Sequence, residues 1–413
     1  MTTVFPPARR LAAVQTPVIP TLGRLIQETP GCLNLGQGMV SWGPPVEVRA
    51  ALSAVAAEAE AGSRSEPPGQ QGHPSADLDR YGPVNGDPPL LSAISGHLRE
   101  RHGINSAGSS LVVTAGSNMA FQALMQVICD PGDEVLLPVP YYFNHAMAIQ
   151  LAGGIPRPVQ AGVLVDPEVL AAAIHPRTRA LVTISPNNPS GAVLSRERLL
   201  AINALCKRHQ LLHIHDEAYA AFHHGGQEPW SPGSAPGAAG HTVTLQSLSK
   251  SHGMAGWRVG WMVAPASLAP DLAKVQDTSL ICPPRLSQRA AAVALSSDWQ
   301  WMEAPMTALR ERRQQLLDRL DRPNRPWRFL APADGAFYAL LQLDSDLSAD
   351  QVMERLVREH GVAVVSGSGF GLEGCCLRLS YGMLQGEAFM TAIDRLSRGL
   401  EALAGEEAPS PSS

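Results

Sequence analysis

The run Val243-Thr244-Leu245-Gln246-Ser247-Leu248-Ser249-Lys250, continued by Gly253, Gly256 and Arg258, decides how the rest of the chain is organised. Val243–Leu245 is a short apolar run of the kind that forms a buried strand, and Ser247 to Lys250 follow where that strand would end. Lysine is scarce in this chain, because arginine supplies most of its positive charge. A lysine at a strand end, beside hydroxyls and flexible glycines, can be a desolvated amine poised for imine formation. Taken alone, it reads more readily as a solvated surface residue. Arg258, eight residues on, and Ser247, three residues before, shift that weighting. A hydroxyl and a guanidinium flanking such a lysine would hold a dianionic phosphate.

Outward from this run, short apolar segments alternate with helical patterns between about residues 111 and 265. Val112–Thr114, Glu134–Leu137, Leu181–Ile184, Leu211–His215, Val243–Leu245 and Val259–Val263 read as buried strands. Phe121, Leu124, Met125 and Ile128 fall on one face of a helix, and Asp166-Pro167 is a helix start. Such alternation predicts an α/β fold: a three-layer large domain with a mainly parallel mixed sheet covered on both faces. Ligands of such sheets bind at the carboxyl ends of the strands. From about residue 300, a helix and the strands Phe337–Leu341 and Leu377–Ser380 suggest a smaller α+β domain. The expected division is an N-terminal arm and small-domain segment over 1–48, a large domain over 49–300, a small domain over 301–405, and a disordered tail over 406–413. Two stretches rich in Gly, Pro, Ser and Gln, Gly62–Pro74 and Gly225–Gly240, read as surface loops, the first as an inserted, mobile one.

The net charge of -5, with no basic run, argues against nucleic acid or an anionic membrane as the main partner. No apolar run is long enough to span a bilayer. Cys32, Cys129, Cys206, Cys282, Cys375 and Cys376 show no CxxC spacing, which fits reduced, mostly buried thiols in a cytoplasmic protein. Arg9 and Arg10 are followed by no signal-peptide core, so no export is expected, although a short organellar presequence stays open.

Several other strand ends carry suggestive groups. Asp216-Glu217-Ala218-Tyr219 follows the Leu211–His215 strand. A buried aspartate there can keep a pyridinium nitrogen protonated, so that the ring acts as an electron sink, and Tyr219 can reach a phenolic oxygen. The plainer alternative is an N-cap aspartate with a packed tyrosine. Gly116, Ser117 and Asn118 precede the Phe121 helix, whose free N–H groups form an anion site, as any capped strand–helix turn would. Asn188, before Pro189, would direct its amide at a ligand or simply sit in a loop. Tyr142 can stack on a planar ring or pack as an ordinary aromatic. Leu377-Arg378-Leu379-Ser380 alternates like a strand, burying the leucines and sending Arg378 to the other face. There it would meet a carboxylate bidentately or form a surface ion pair. His213, His215 and Asp216 mimic a metal-ligand spacing, but nothing completes the set. The two histidines are therefore expected to be satisfied interior or edge residues, and no metal is expected.

These segments, in this order, resemble the class I/II aminotransferases among the fold-type I pyridoxal phosphate enzymes. The match runs from Asn34-Leu35-Gly36-Gln37-Gly38 through Tyr81-Gly82-Pro83 to Arg378. Each motif alone is loose, whereas six in order ending in SLSK-x7-R are specific. Gly36–Pro45 (GQGMVSWGPP) and Pro140–Asn144 (PYYFN) look most like the plant and cyanobacterial aromatic-type branch. The resemblance implies pyridoxal 5'-phosphate as cofactor, Lys250 as its Schiff-base lysine and later acid/base, and Asp216 as partner of the pyridine nitrogen. It implies that Asn188 and Tyr219 hold the phenolic oxygen and that Tyr142 stacks on the ring. Gly116, Ser117, Asn118, Ser247 and Arg258 would hold the phosphate, with Tyr81 reaching in from a neighbouring subunit. Arg378, helped by Asn188 and the backbone around Gly38, would bind the substrate carboxylate. The implied assembly is a homodimer with shared sites.

There are departures. Ser190 replaces a commoner threonine, the Gly62–Pro74 stretch precedes Tyr81, and Arg285 in ICPPR is either a side-chain determinant or a surface charge. Where the aspartate-specific branch carries a second arginine, gapless placement puts Asp277, which weakens a dicarboxylate assignment. The expected activity is transamination between an L-amino acid and a 2-oxo acid. Aromatic residues or methionine are favoured as donor, because Trp42, Met39 and Tyr142 would make an apolar wall. A C–S β-lyase keeping the same cofactor, and aspartate, glutamate, alanine or kynurenine as donor, remain open. A cofactor-binding regulator and a metal hydrolase on His213 and His215 are disfavoured.

Overall fold

The computed structural model describes residues 6–63 and 78–405. Of the Gly62–Pro74 stretch only Gly62 and Ser63 are described, closing the helix Val46–Ser63. The rest of it and the tail from Glu406 lie outside the described residues.

Seven strands form the main sheet: β1 Ser109–Thr114, β2 Glu134–Pro138, β3 Ile155–Val159, β4 Thr178–Ile184, β5 Leu212–Asp216, β6 Thr242–Ser247 and β7 Gly260–Pro265. Their order is β1-β7-β6-β5-β4-β2-β3. All neighbours are parallel except β7, which runs antiparallel to both β1 and β6. The two-residue period of a strand sends alternate side chains to opposite faces, and both faces are apolar here. Val135 and Leu137 join the cluster under helix Ser117–Ile128, with Phe121, Leu124, Met125 and Ile128. Leu136, between them, packs on the other side with Leu199, Ile202 and Leu205 of helix Arg196–Arg208. The layers are helix, sheet, helix.

The six strands expected from the sequence are all present. The seventh, β3, escapes the pattern because Ile-Pro-Arg-Pro-Val carries prolines at 156 and 158. Proline lacks the N–H that a central strand needs, and β3 is tolerated because it pairs on one side only, at the sheet edge. Gly225–Gly240 is a loop as expected, though its 3₁₀ turns Pro232–Ser234 and Ala238–Gly240 bury Pro232 and Ala238.

A four-stranded antiparallel sheet follows: β8 Trp327–Phe329, β9 Tyr338–Leu343, β10 Val365–Ser366 and β11 Cys375–Ser380, in the order β10-β11-β9-β8. Helices Ala349–His360 and Gly386–Leu403 pack on it. Leu33–Asn34 pairs in parallel with Val362–Ala363, and Ser380 N–H donates to Leu35 O, which delivers Gly36 to Gly38 beside β11. The sequence left Arg378 to meet a carboxylate or to form a surface ion pair. Every residue of the strand is buried, Arg378 included at 2% exposure, which removes the surface ion pair. All six cysteines are free thiols, three buried and three half-buried.

A polar seam crosses the main sheet. Thr183 Oγ1 lies 2.8 Å from His213 Nε2 and 2.6 Å from His215 Nδ1. Asn203 Nδ2 lies 3.0 Å from His213 Nδ1 and donates to Thr242 Oγ1 at 2.8 Å. Burial pushes both imidazoles below their ordinary pKa, so they are neutral. Hydroxyl and amide groups, rather than further ligands, occupy three of their four ring nitrogens. Among the described residues no cluster of three His, Cys, Asp or Glu could hold a metal. Thr183→Val would strand two imidazole nitrogens at a cost of about 1–3 kcal/mol each. The expected outcome is a lowered urea midpoint at unchanged m-value; an unshifted midpoint would show that the seam is not stabilising.

Candidate active site

Because β7 is antiparallel to both neighbours, β1 runs in the same sense as β4, β5 and β6, and their carboxyl ends meet at one edge. β7 begins at that edge, with Gly260 opposite both Thr114 and Ser247. The topology therefore gathers groups distant in sequence. Ser117, Asn118, Tyr142, Asn188 and Asp216 line one cavity of about 110 Å³. Tyr219, Ser247, Ser249, Lys250 and Arg258 complete its polar lining, with Ile184 among the apolar atoms. Two larger cavities, of about 250 and 530 Å³, contain none of Lys250, Asp216 or Arg378.

One end is built to hold an anion. Ser247 Oγ donates to Ser249 Oγ at 2.8 Å, and Ser249 N–H donates back to Ser247 Oγ at 3.1 Å. Arg258, held in a left-handed conformation (φ 55), donates to Ala255 O at 2.9 Å and Ala115 O at 2.8 Å. Gly116 (φ 87) precedes helix Ser117–Ile128, and a Cβ there would overlap the Arg258 guanidinium. No side chain caps that helix, so its first N–H groups stay available.

The other end is aromatic and acidic. Asp216 Oδ1 accepts from Ala218 N–H at 3.0 Å, and Oδ2 lies 3.2 Å from His145 Nε2. His145 stacks on Phe121 at 4.2 Å and meets Tyr142 edge-on at 5.4 Å. The Tyr142 hydroxyl accepts from Asn144 Nδ2 at 2.8 Å, and burial pushes its phenol up. Tyr219 and Tyr338 share a hydroxyl–hydroxyl hydrogen bond of 2.9 Å.

Lys250 sits on a single helical turn, Leu248–Ser251, where Nζ donates to Gly38 O at 2.5 Å. Burial first, then the positive charges of Arg378 and Arg258, bring its amine down to about 8, with Asp216 pulling the other way. Arg378 donates from Nη1 to Asn188 Oδ1 at 2.9 Å and from Nη2 to Gly36 O at 2.6 Å, while Nε has no partner. Its bonds go to neutral acceptors, and a buried guanidinium in that state favours an incoming carboxylate.

Sequence reasoning missed His145, Ser249 and Tyr338. His145 lies three residues after Tyr142 in helix Phe143–Leu151, a helical spacing that offered a signal; Tyr338 offered none. Two expected residues lie elsewhere. Trp42 does not line this cavity: its Nε1 donates to Ser251 O at 3.0 Å, and its ring borders the 530 Å³ groove. Tyr81 stands away from the cavity, 79% exposed. Arg285 is neither a free surface charge nor a cavity residue; its Nε meets both oxygens of Asp87 at 3.2 Å. Asp277 is exposed near the end of helix Ala269–Leu280.

A family model described as aminotransferase class I and II matches residues 31–396. The chain belongs to that family. It is a pyridoxal 5'-phosphate-dependent aminotransferase, with the fold-type I architecture. It is 39% identical to the arginine–pyruvate transaminase of Pseudomonas aeruginosa over 70% of this chain and 75% of that one. It is 30% identical to an aromatic aminotransferase of Arabidopsis thaliana, over 96% of each chain. Among solved structures, the Thermus thermophilus aspartate aminotransferase with maleate superimposes with a TM-score of 0.83 at 30% identity, covering 96% of this chain and all of that one.

The residues of this aminotransferase fit the cofactor. Hydroxyls, a guanidinium and open helix N–H groups suit its phosphate, and the buried carboxylate of Asp216 suits its ring nitrogen. The bound cofactor supplies an electron sink for the carbon that loses a proton. In the cofactor-free enzyme the neutral fraction of Lys250 should rise as pH passes through about 8. An amine-selective acylating reagent, followed by mass spectrometry, should therefore modify Lys250 with a midpoint near pH 8. A midpoint above 10, where an ordinary lysine titrates, would contradict the desolvated site.

Proposed function

We propose that this aminotransferase takes its amino group from an L-amino acid with an aromatic or methionine side chain and passes it to a 2-oxo acid. The observation carrying this reading is the charge inventory of the cavity. Its described basic groups are Lys250, Arg258 and the adjoining Arg378, each with a task, so none is left for a second substrate carboxylate. Tyr142, Ile184 and Tyr219 supply apolar wall. Trp42 and Met39, on the Gly36–Pro45 segment, are the further candidates for contact with the substrate side chain.

In this proposal Arg378, Asn188 and the Gly38 backbone orient the substrate carboxylate. That fixes the Cα–H bond within reach of Lys250, which removes the proton as a neutral amine and returns it at the neighbouring centre. A lowered pKa serves that task, since an ordinary lysine would stay protonated at neutral pH. Asp216, backed by His145, would keep the cofactor ring nitrogen protonated. Asn188 and Tyr219 would hold its phenolic oxygen, and Tyr142 would stack on its ring. Gly116, Ser117, Asn118, Ser247 and Arg258 bind its phosphate. Tyr81 is assigned to the phosphate of a second subunit in a homodimer with shared sites, for which its exposure leaves it available. The proposed division remains an N-terminal segment over 1–48, a large domain over 49–300 and a small domain over 301–405, in a cytoplasmic enzyme. Among the described residues no helix is long and apolar enough to cross a membrane.

Purified enzyme loaded with cofactor should show a visible absorption band that Lys250→Ala abolishes together with activity; a protein without the band would refute the reading. A donor–acceptor panel including arginine, aspartate, glutamate, alanine and kynurenine should give the highest kcat/KM with aromatic donors or methionine. Oxo acid formed with ammonia and without an acceptor would instead identify a β-lyase. Arg378→Ala should raise KM for the amino acid by roughly 30-fold or more, the range for unpairing a buried charged contact.

A further inference from the structure

Tyr338 opens β9 and is 1% exposed, so its influence on the reaction runs through the groups it touches. Those groups belong to three different parts of the site. Its hydroxyl lies 2.9 Å from the Tyr219 hydroxyl. The Arg378 guanidinium carbon sits 4.6 Å from its ring centroid, with Phe370 on the same cation at 5.4 Å. A Cβ on residue 38 would stand 2.6 Å from the Tyr338 hydroxyl, so Gly38 can pass beneath it only as glycine.

We propose that Tyr338 is a positioning residue that couples substrate-carboxylate binding to the cofactor's phenolic oxygen, by seating Arg378 on its ring and orienting Tyr219 through its hydroxyl. This rests on the roles assigned above to Tyr219 and Arg378. A tyrosine hydroxyl has one proton. If Tyr219 donates its proton toward the cofactor, the 2.9 Å contact must be donated by Tyr338. Burial pushes both phenols above their ordinary range, so both protons are present. Donation into the Tyr219 oxygen polarises the forward O–H bond and strengthens it as a donor. It also fixes the hydroxyl rotor, which the ring alone leaves free. The second part is the guanidinium. Arg378 holds two neutral acceptors, but its plane is set by the aromatic faces of Tyr338 and Phe370, and a desolvated cation gains most from such faces. One side chain thus sets the orientation of two groups that act on opposite partners of the reaction.

The two functions of Tyr338 separate by substitution. Tyr338→Phe keeps the platform and deletes the hydroxyl. In the holoenzyme, kcat should fall several-fold while KM for the amino acid changes less than about twofold. The pH at which the visible band changes form should move upward, because a weaker Tyr219 donor stabilises the phenolate less. Tyr338→Leu removes the platform as well. KM should then rise about fivefold or more, and so should the dissociation constant of unreactive 3-phenylpropanoate, measured by protein fluorescence on the cofactor-free chain. An unchanged kcat and band midpoint in Tyr338→Phe would overturn the hydroxyl function. An unchanged carboxylate affinity in Tyr338→Leu would overturn the platform. If the leucine variant does not fold, the near-isosteric phenylalanine variant still decides the first half, and Phe370→Leu, which strips the other face of Arg378, decides the second. Wild-type enzyme lacking a visible band would refute the parent reading instead, so the two failures are distinguishable.

Discussion

Lys250, Arg258 and Arg378 converge where the cavity lining holds a single carboxylate, Asp216. Arg378 is buried, Lys250 is half-buried and Arg258 is exposed at the rim, and like charges brought this close repel one another. The consequences run through the site. The lysine releases its proton below the ordinary lysine range, and Arg258 and Arg378 direct their hydrogen bonds to carbonyl and amide oxygens. An entering anion would relieve that repulsion. A cofactor phosphate and a substrate carboxylate are anions of the right kind, so the protein stores in its own charge distribution a preference for the molecules it works on.

The sheet makes this convergence affordable. Parallel strands buried on both faces place their carboxyl ends at one rim, and a single antiparallel insertion, β7, returns the chain to that rim with Arg258 at its start. The rigid apolar body below consists of Val135, Leu137, Val182, Ile214, Val243 and Leu245 under one helix layer. Arg378 arrives from the other direction, on β11 of the smaller sheet, and meets Asn188 from 190 residues away in sequence. Gly36 to Gly38 arrives by a third route, through the Leu33–Asn34 pairing. The site is therefore a junction of three chain segments, and Tyr338 stands where all three touch.

Much of the fold was legible because it is written in local periodicity. Six of seven strands and the Phe121 helix follow from apolar runs and 3.6-residue spacing. The exception, β3, was hidden by prolines that only an edge position tolerates. In the site, residues at strand ends could be read, since the strand points to them: Ser117, Asn188, Asp216, Ser247 and Lys250 all line the cavity. His145 and Tyr338 could not be read in the same way, because each acts by contact with a distant residue. The bond from the Trp42 indole to Ser251 O could not be read either, because it joins residues 209 apart in sequence.

The run from Val243 to Arg258 by itself determined the chemistry this chain can support. A strand, two serines, a lysine and an arginine at fixed spacing are local features, and local features survive in a linear code. Only the tertiary structure decided how the lysine behaves. Burial, the approach of Arg378 from another sheet and the carbonyl of Gly38 set its charge state, and each depends on packing between segments that no spacing connects. Tertiary structure likewise removed the surface ion pair as a reading of Arg378, by making it a buried guanidinium bonded only to neutral groups. Covering the second face of β11 is a property of the whole fold, not of Leu-Arg-Leu-Ser.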